Sequence, residues 1–166
     1  MIKILFICHG NVCRSTMAEF VMKDMLNKAG LSKAVEAESA ATTSEEVYRG
    51  VGNPIYPATL RELKAHGIGT PDNELGVSGK RARKMLPSDY EKFDYLIGMD
   101  GENLRDMLAM YRRDPEGKIS LLLDFTAAPG EIADPWYTRD FKTTWQQVEA
   151  GCRALLTKIE ESMGKS

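Results

Sequence analysis

An apolar run at residues 2–7, followed directly by Cys8-His9-Gly10-Asn11-Val12-Cys13-Arg14-Ser15, constrains the fold of this chain more than any other feature. The run is rich in isoleucine and predicts a buried β-strand. Residues 15–29 then carry apolar side chains at helical spacing, and Gly30 stands where a helix commonly ends. A strand, a short loop and a helix in this order are typical of a parallel α/β sheet.

The same alternation continues along the chain and predicts an α/β fold in one domain over residues 1–166. Three further strands are expected at residues 35–39, 95–99 and 119–123, and helices at residues 57–66 and around residues 104–111. Residues 41–53 and 67–86 show no clear period, so we expect surface loops around a site. A long C-terminal helix should close the core with an apolar stripe of Phe141, Trp145, Val148, Cys152, Leu155, Leu156 and Ile159.

Composition and charge narrow the classes of function. With 22 basic and 24 acidic residues the net charge is −2, so the chain lacks the basic field that nucleic-acid binding usually requires. The first apolar run is too short for a signal peptide or a membrane span, so we expect a cytoplasmic protein without a nucleic-acid or membrane partner. It is expected to be a monomer or a weak homodimer.

Three cysteines, Cys8, Cys13 and Cys152, match neither a disulfide framework nor a zinc spacing, so reduced thiols are expected. No metal ligand set is visible in the sequence, and no cofactor is expected. A short basic run at residues 80–84 is interpreted as a solvated face, with attraction of an anionic partner as the alternative.

The segment between the first strand and the first helix has the composition of an anion-binding loop. Gly10 and Asn11 tolerate positive φ, and the loop leads into a helix N-terminus, so backbone N–H groups can converge on one oxyanion. Cys8 then lies beneath the anion as a thiolate nucleophile, and the guanidinium of Arg14 offers fixed donors for two phosphate oxygens. Ser15 can cap the helix or donate its hydroxyl to the Cys8 sulfur. Together these residues suggest attack on phosphorus.

A phosphocysteine route needs an acid when a phenolate leaves, because that oxygen must be protonated at neutral pH. Asp134 is the candidate, since Pro135 biases its backbone away from the helical region and stiffens the loop. Trp136 and Tyr137 follow and are candidates for the walls of the entrance. An Asp-Pro pair alone is usually a turn, so this assignment depends on the cysteine loop.

The chain resembles the low molecular weight protein tyrosine phosphatase family, through CHGNVCRS near the N-terminus and DPWY near the C-terminus. Stretches at residues 38–40, 80–83, 93–95 and 98–104 also look like the family, so the resemblance covers nearly the whole chain. It implies a four-stranded parallel sheet in the order 2-1-3-4, with helices on both faces and the site at the carboxyl ends of the strands. It also implies a protein-tyrosine phosphatase whose substrate is a phosphotyrosine-containing protein or a small aryl phosphate.

The resemblance also implies roles for individual residues. Cys8 would be the nucleophile, Arg14 would bind phosphate and stabilise the transition state, and Asp134 would be the general acid and then the base that activates water. Phosphate binding or loop support is implied for His9, Gly10, Asn11, Val12, Cys13 and Ser15.

Two further residues gain a role only through the family. His66 stands where the family has a histidine that hydrogen-bonds to the loop asparagine, here Asn11; the other interpretation is a C-terminal helix cap. The thiol at the position of Cys13 can form a reversible disulfide with the nucleophile in this family, which would protect it from overoxidation. A buried small residue under the loop is the other interpretation of Cys13.

The chain departs from the family at two places. Residues 42–53 are longer than the usual segment, in which an aromatic or aliphatic residue forms one wall of the substrate cleft. Tyr48 is the candidate for that wall, with Glu45 or Glu46 as the alternative. Thr16 replaces a proline, which should matter little because proline is merely favoured in a first helical turn.

Rival functions of similar proteins differ by single features. Phosphoarginine phosphatases have threonine where Val12 stands, so Val12 favours phosphotyrosine and leaves phosphoarginine as an alternative. Arsenate reductases that depend on thioredoxin need two more cysteines, and none lies between Cys13 and Cys152. Cysteine-phosphorylated sugar-transport components require neither Arg14 nor Asp134, so the presence of both residues favours hydrolysis. A protein that only binds phosphorylated partners would not need a nucleophile, an arginine and an aspartate together, so the presence of all three argues against that function.

Overall fold

The computed structural model describes residues 1–164, so the last two residues of the domain expected over residues 1–166 lie outside it. Two 3-10 turns lie at Val77–Gly79 and Leu122–Phe125. The strands and α-helices, in chain order, are β1 (Ile2–Cys8), α1 (Arg14–Lys28), β2 (Val35–Ala41), β3 (Val47–Tyr48), β4 (Val51–Gly52), α2 (Pro57–Ala65), α3 (Asp89–Lys92), β5 (Tyr95–Gly98), α4 (Gly101–Met110), β6 (Ile119–Leu121), α5 (Pro135–Thr138) and α6 (Phe141–Ser162).

Four strands form one parallel sheet in the order β2-β1-β5-β6. This is the 2-1-3-4 order of the four expected strands, and the α/β class is confirmed. Strand β1 is central, with Ile4, Phe6 and Cys8 in the core on one face and Leu5 and Ile7 in the core on the other. Because both faces of the strand are buried from Ile4 to Cys8, these five residues are apolar in succession and do not alternate with polar ones.

Helices cover both faces of the sheet and give three layers. Helices α1, α2 and α6 pack over one face, and α3 and α4 lie over the other. Phe141 is only half-buried and lies parallel to the ring of Tyr56, with ring centroids 6.0 Å apart. Phe141 is the first residue of the expected α6 stripe, and the other six residues of that stripe are buried, namely Trp145, Val148, Cys152, Leu155, Leu156 and Ile159.

No helix in the described part of the chain has both the length and the apolar composition that a membrane crossing requires.

Two expected segments differ from the structure. The fourth strand ends at Leu121 and not at residue 123, because a 3-10 turn follows in which Asp124 Oδ2 accepts the Leu121 N–H at 2.9 Å. The expected loop at residues 41–53 contains a hairpin, in which β3 and β4 pair antiparallel. Arg49 and Gly50 at its tip have φ of 50° and 78°, as a tight two-residue hairpin turn requires.

The basic run at residues 80–84 is not a uniform solvated face. Lys80 pairs with Glu19 at 3.1 Å and Arg83 pairs with Asp89 at 3.0 Å, and the two basic side chains are only 13% and 32% exposed. The backbone of this segment runs along the end of β2, where Ala41 N–H donates to the Arg83 carbonyl at 2.7 Å. The segment is therefore built into the sheet edge beside the loop that follows β1.

Candidate active site

The loop between β1 and α1 forms the floor of a cavity at the carboxyl ends of the strands. The backbone amides of residues 10–13 donate to no backbone carbonyl in the described part of the chain. These N–H groups, at the start of α1, are therefore free to bind an oxyanion. The cavity has a volume of about 180 Å³ and is lined by Cys8, His9, Gly10, Val12, Cys13, Arg14, Glu45, Glu46, Asp134, Trp136 and Tyr137.

The side chain of Asn11 stabilises this loop through hydrogen bonds on the side away from the cavity. Asn11 takes the left-handed conformation, with φ of 61°, whereas Gly10 does not have positive φ. Its side-chain Nδ2 donates to Ser15 Oγ and to Ser39 Oγ, both at 2.8 Å, and its Oδ1 accepts the Arg83 N–H at 3.1 Å. All three contacts are internal, so the buried Asn11 side chain holds the shape of the loop and does not line the cavity.

Ser15 lies next to Cys8, the candidate nucleophile. Its Oγ is 3.0 Å from Cys8 Sγ. It does not cap α1, which begins at Arg14 after Cys13 and has no side-chain cap. Because Ser15 Oγ already accepts from Asn11, its own hydroxyl proton is free to point at sulfur, so it donates to Cys8 when that residue is a thiolate.

The hydrogen bonds behind the loop end on a buried carboxylate that sequence reasoning missed. Ser39 Oγ donates to Glu19 Oε1 at 2.5 Å, and Glu19 also pairs with Lys80 at 3.1 Å and with Lys23 at 2.5 Å. Burial lowers the pKa of Lys80, although the charge of Glu19 opposes that effect. Ser39 and Lys80 lie in stretches that carry the family resemblance, which is the signal that could have found them.

Arg14 is fixed by groups that are distant in sequence. Its side chain is 2% exposed, and Nη1 donates to Asp100 Oδ2 at 2.6 Å and to the Ile132 carbonyl at 2.8 Å. Burial opposes its charge, but Cys8 and Asp100 outweigh burial and raise the pKa of the guanidinium above its ordinary value. Asp100 is also the N-cap of α4. Sequence reasoning missed this carboxylate, although it lies in a stretch that resembles the family.

Asp134 lies in the same cavity, directly before α5. Its Oδ1 accepts the Trp136 N–H at 3.0 Å, and Pro135 occupies the first helical position. Its Oδ2 lies 3.5 Å from Arg14 Nη2. The cavity thus brings together a thiol, a guanidinium and a carboxyl group, which are the groups that nucleophilic attack with acid and base assistance requires.

Two aromatic side chains line one side of the entrance. Trp136 and Tyr137 are 47% and 81% exposed. The Trp136 ring meets Tyr56 edge-on at 5.1 Å between centroids, and the guanidinium of Arg139 lies 5.1 Å from its centroid. Trp136 is therefore held in place, whereas Tyr137 projects into solvent.

Tyr48 is not among the residues that line the cavity. The β3–β4 hairpin carries its ring outward, where it is 70% exposed and lies under the guanidinium of Arg49. The alternative residues, Glu45 and Glu46, form the wall that faces the loop. Glu45 Oε2 lies 2.8 Å from His9 Nε2, so the wall is acidic where an aromatic side chain was expected.

His66 forms no hydrogen bond with Asn11. Its ring stacks on Trp145 with centroids 3.8 Å apart, and its Nε2 lies 3.3 Å from Glu62 Oε1. The residue sits at the C-terminal cap of α2, facing α6, while the Asn11 amide is fully used by other partners. The expected contact is thus corrected, and His66 instead packs α2 against α6.

Cys13 lines the cavity but is largely buried. Burial raises the pKa of its thiol to about 12, so it is protonated at neutral pH. The three cysteines are free thiols, and Cys152 is fully buried on the face of α6 that packs against α1. No group of three or more His, Cys, Asp or Glu side chains within residues 1–164 is placed to hold a metal ion.

Comparison with known proteins identifies a family and several similar chains. The sequence pattern of the low molecular weight phosphotyrosine protein phosphatase family matches residues 3–165. The low molecular weight protein-tyrosine-phosphatase YfkJ of Bacillus subtilis is 34% identical over 163 residues, which are 97% of each chain. Its crystal structure matches with a TM-score of 0.88, over 98% of this chain and 96% of that one.

Two other relatives extend the comparison. The human low molecular weight phosphotyrosine protein phosphatase is 34% identical over 160 residues, or 93% of this chain and 94% of the human one. The crystal structure of a drosophila arginine phosphatase matches with a TM-score of 0.82 at 26% identity, over 96% of this chain and 98% of that one. The chain belongs to the low molecular weight phosphotyrosine protein phosphatase family.

Proposed function

We propose that the protein is a protein-tyrosine phosphatase that hydrolyses aryl phosphomonoesters through a phosphocysteine intermediate on Cys8. The observation that carries this proposal is the meeting of Cys8, Arg14 and Asp134 in one cavity, above free backbone amides. The names of the Bacillus and human relatives support phosphotyrosine as the substrate class. A cytoplasmic location and a monomeric or weakly dimeric state stay predictions from the sequence.

In the first step the Cys8 thiolate attacks phosphorus, and the bond from phosphorus to the phenolic oxygen breaks. Arg14 and the loop amides bind the non-bridging oxygens, whose charge redistributes during in-line displacement. Asp134, in its protonated form, gives its proton to the leaving oxygen. The products of this step are a free phenol and phosphocysteine.

In the second step water attacks phosphorus, and the sulfur–phosphorus bond breaks. Asp134, now a carboxylate, takes a proton from that water. Ser15 donates its hydroxyl to the departing sulfur, which regains its negative charge. Inorganic phosphate is released, and the thiolate is restored.

Phosphoarginine is the alternative substrate, supported by the likeness to the drosophila arginine phosphatase. Val12 argues against it, because this apolar side chain lines the cavity where phosphoarginine phosphatases have a hydroxyl group. Rates on phosphotyrosine and phosphoarginine peptides, measured side by side, decide between the two.

The test of the mechanism is turnover of p-nitrophenyl phosphate in the presence of a metal chelator. We expect the wild-type protein to be active and Cys8→Ser to be inactive, because a serine hydroxyl at the same place is not ionised at neutral pH. Cys152→Ser is the matched control, since this cysteine lies on the buried face of α6 and outside the cavity, and this variant should stay active. Measurable turnover by Cys8→Ser would overturn the mechanism.

A further inference from the structure

We propose that Glu45 and Glu46 make this site select phosphotyrosine residues that have arginine or lysine beside them in the substrate protein. The inference rests on the proposed function and adds a substrate preference to it. It concerns the wall that residues 42–53 place beside the phosphate-binding loop.

Both carboxylates are held against this loop. Glu45 Oε2 lies 2.8 Å from His9 Nε2. Glu46 Oε2 accepts from Asn53 Nδ2 at 2.7 Å, and the Asn53 backbone N–H donates to the Glu46 carbonyl at 2.8 Å. A Cβ on Gly10 would come within 3.1 Å of Glu46 Cγ, which shows how closely the wall approaches the loop.

The charge of this wall is unfavourable for a bare phosphate. Glu45 and Glu46 both line a cavity whose proposed guest is a dianion. Like charges in a partly enclosed site repel more strongly than in bulk water, so these carboxylates disfavour a bare phosphate. A substrate that carries a cation next to its phosphate removes this penalty and gains an attraction.

The described residues 1–164 do not supply that cation. Among residues 1–164 neither Glu45 nor Glu46 forms a salt bridge with a lysine or an arginine; Glu45 pairs with His9 and Glu46 with the neutral amide of Asn53. Glu19, by contrast, is neutralised by two lysines. The wall is therefore available to a cationic side chain from outside.

The location of the wall indicates that the cation comes from a residue next to phosphotyrosine in the substrate protein. Glu45 stands at the rim, with 66% of its side chain exposed, so a side chain adjacent to phosphotyrosine can reach it. Trp136 and Tyr137 also line the entrance, and they offer exposed aromatic surface to an extended peptide. Acidic residues next to phosphotyrosine would instead meet carboxylates, which selects against them.

The experiment measures kcat/KM at low salt on three phosphotyrosyl peptides that differ only in the flanking residues, which are arginine, glutamine or glutamate. Wild type should prefer arginine over glutamine and glutamine over glutamate, by about two- to fivefold per charge. In Glu45→Gln with Glu46→Gln this order should flatten, because each glutamine removes the charge and keeps one oxygen that can accept the hydrogen bond made by the glutamate. High salt should flatten the order in wild type as well.

Glu36→Gln is the matched control for loss of acidic charge. Glu36 lies opposite Lys3 near the amino end of the sheet, so this variant should keep the wild-type order.

A phosphoarginine peptide with neutral flanks tests whether the cation is instead the guanidinium of the phosphorylated residue itself. If the double variant slows only that peptide, the guanidinium of the phosphorylated residue is the cation that the wall recognises, and the proposal is overturned.

Two results separate this inference from the proposed function. Equal rates on all three phosphotyrosyl peptides in wild type, or an unchanged order in the double variant, would overturn the inference and leave the phosphatase assignment intact. Failure to hydrolyse any phosphotyrosyl peptide would overturn the proposed function itself.

Discussion

Ser15 Oγ lies 3.0 Å from Cys8 Sγ while it accepts a hydrogen bond from Asn11 Nδ2. Because Ser15 Oγ accepts the hydrogen bond from Asn11, its position is fixed and its own hydroxyl proton can point at Cys8 Sγ. One donor can thus stabilise the negative charge of Cys8 both as nucleophile and as leaving group. Its larger effect is expected in the second step, when sulfur must depart from phosphorus.

Replacement of Ser15 by alanine should therefore slow the breakdown of phosphocysteine. A hydrogen bond to a charged atom contributes about 1.5–3 kcal/mol, so kcat should fall about 10- to 100-fold. Stopped-flow release of p-nitrophenol should then show a burst, because the intermediate accumulates. Ser162→Ala, at the far end of α6, is the control. A fall in kcat without a burst would contradict this role.

Asp134→Asn should separate the acid role of Asp134 from its structural role. Asparagine is also a good N-cap, so the start of α5 should be kept. Turnover of phosphotyrosine should fall about 10²- to 10⁴-fold, because the phenolate must then leave without a proton. Aryl phosphates with more acidic phenols should lose much less, which a series of such substrates would show. An equal loss across the series would point to a different acid.

Asp100→Asn should weaken phosphate binding through Arg14. The asparagine can still cap α4, but the guanidinium loses the charge that its Nη1 contacts at 2.6 Å. We expect competitive inhibition by inorganic phosphate to weaken about tenfold, which corresponds to about 1.4 kcal/mol. Asp140→Asn is the matched control, because Asp140 also caps a helix but contacts no guanidinium. Unchanged inhibition by phosphate in Asp100→Asn would show that Asp100 only caps the helix.

The sequence predicted the site best where the reactive residues lie close together along the chain. Cys8 ends β1 and Arg14 begins α1. A strand, a short loop and a helix in direct succession are enough to predict that both residues lie at the carboxyl ends of the strands. Asp100 is 86 residues from Arg14, and Glu19 contacts Ser39 across 20 residues, so no local pattern reveals those pairs. They depend on strand order and helix packing, which a motif does not contain.

The cleft wall was misjudged for a different reason. In a hairpin, the turn decides which side chains face the site, and a change of one residue reverses them. The positive φ values of Arg49 and Gly50 close a tight turn that carries Tyr48 away and leaves Glu45 and Glu46 beside the loop. Glycine signals a turn in the sequence, but it does not give the register of so short a hairpin.

Cys13 should rescue Cys8 after oxidation, at a rate that depends on pH. Peroxide converts the Cys8 thiolate to a sulfenic acid. The Cys13 thiolate can then attack that sulfur, which forms a disulfide and expels hydroxide, and the hydroxide takes up a proton from solvent to give water. Burial raises the pKa of Cys13 to about 12, so its thiolate fraction rises steadily with pH below that value. The fraction of activity that dithiothreitol recovers should therefore be larger at about pH 9 than at about pH 7. Cys13→Ala should be inactivated irreversibly at both values, whereas Cys152→Ala should recover like wild type. Recovery of Cys13→Ala to the wild-type extent would show that Cys13 is only a buried residue under the loop.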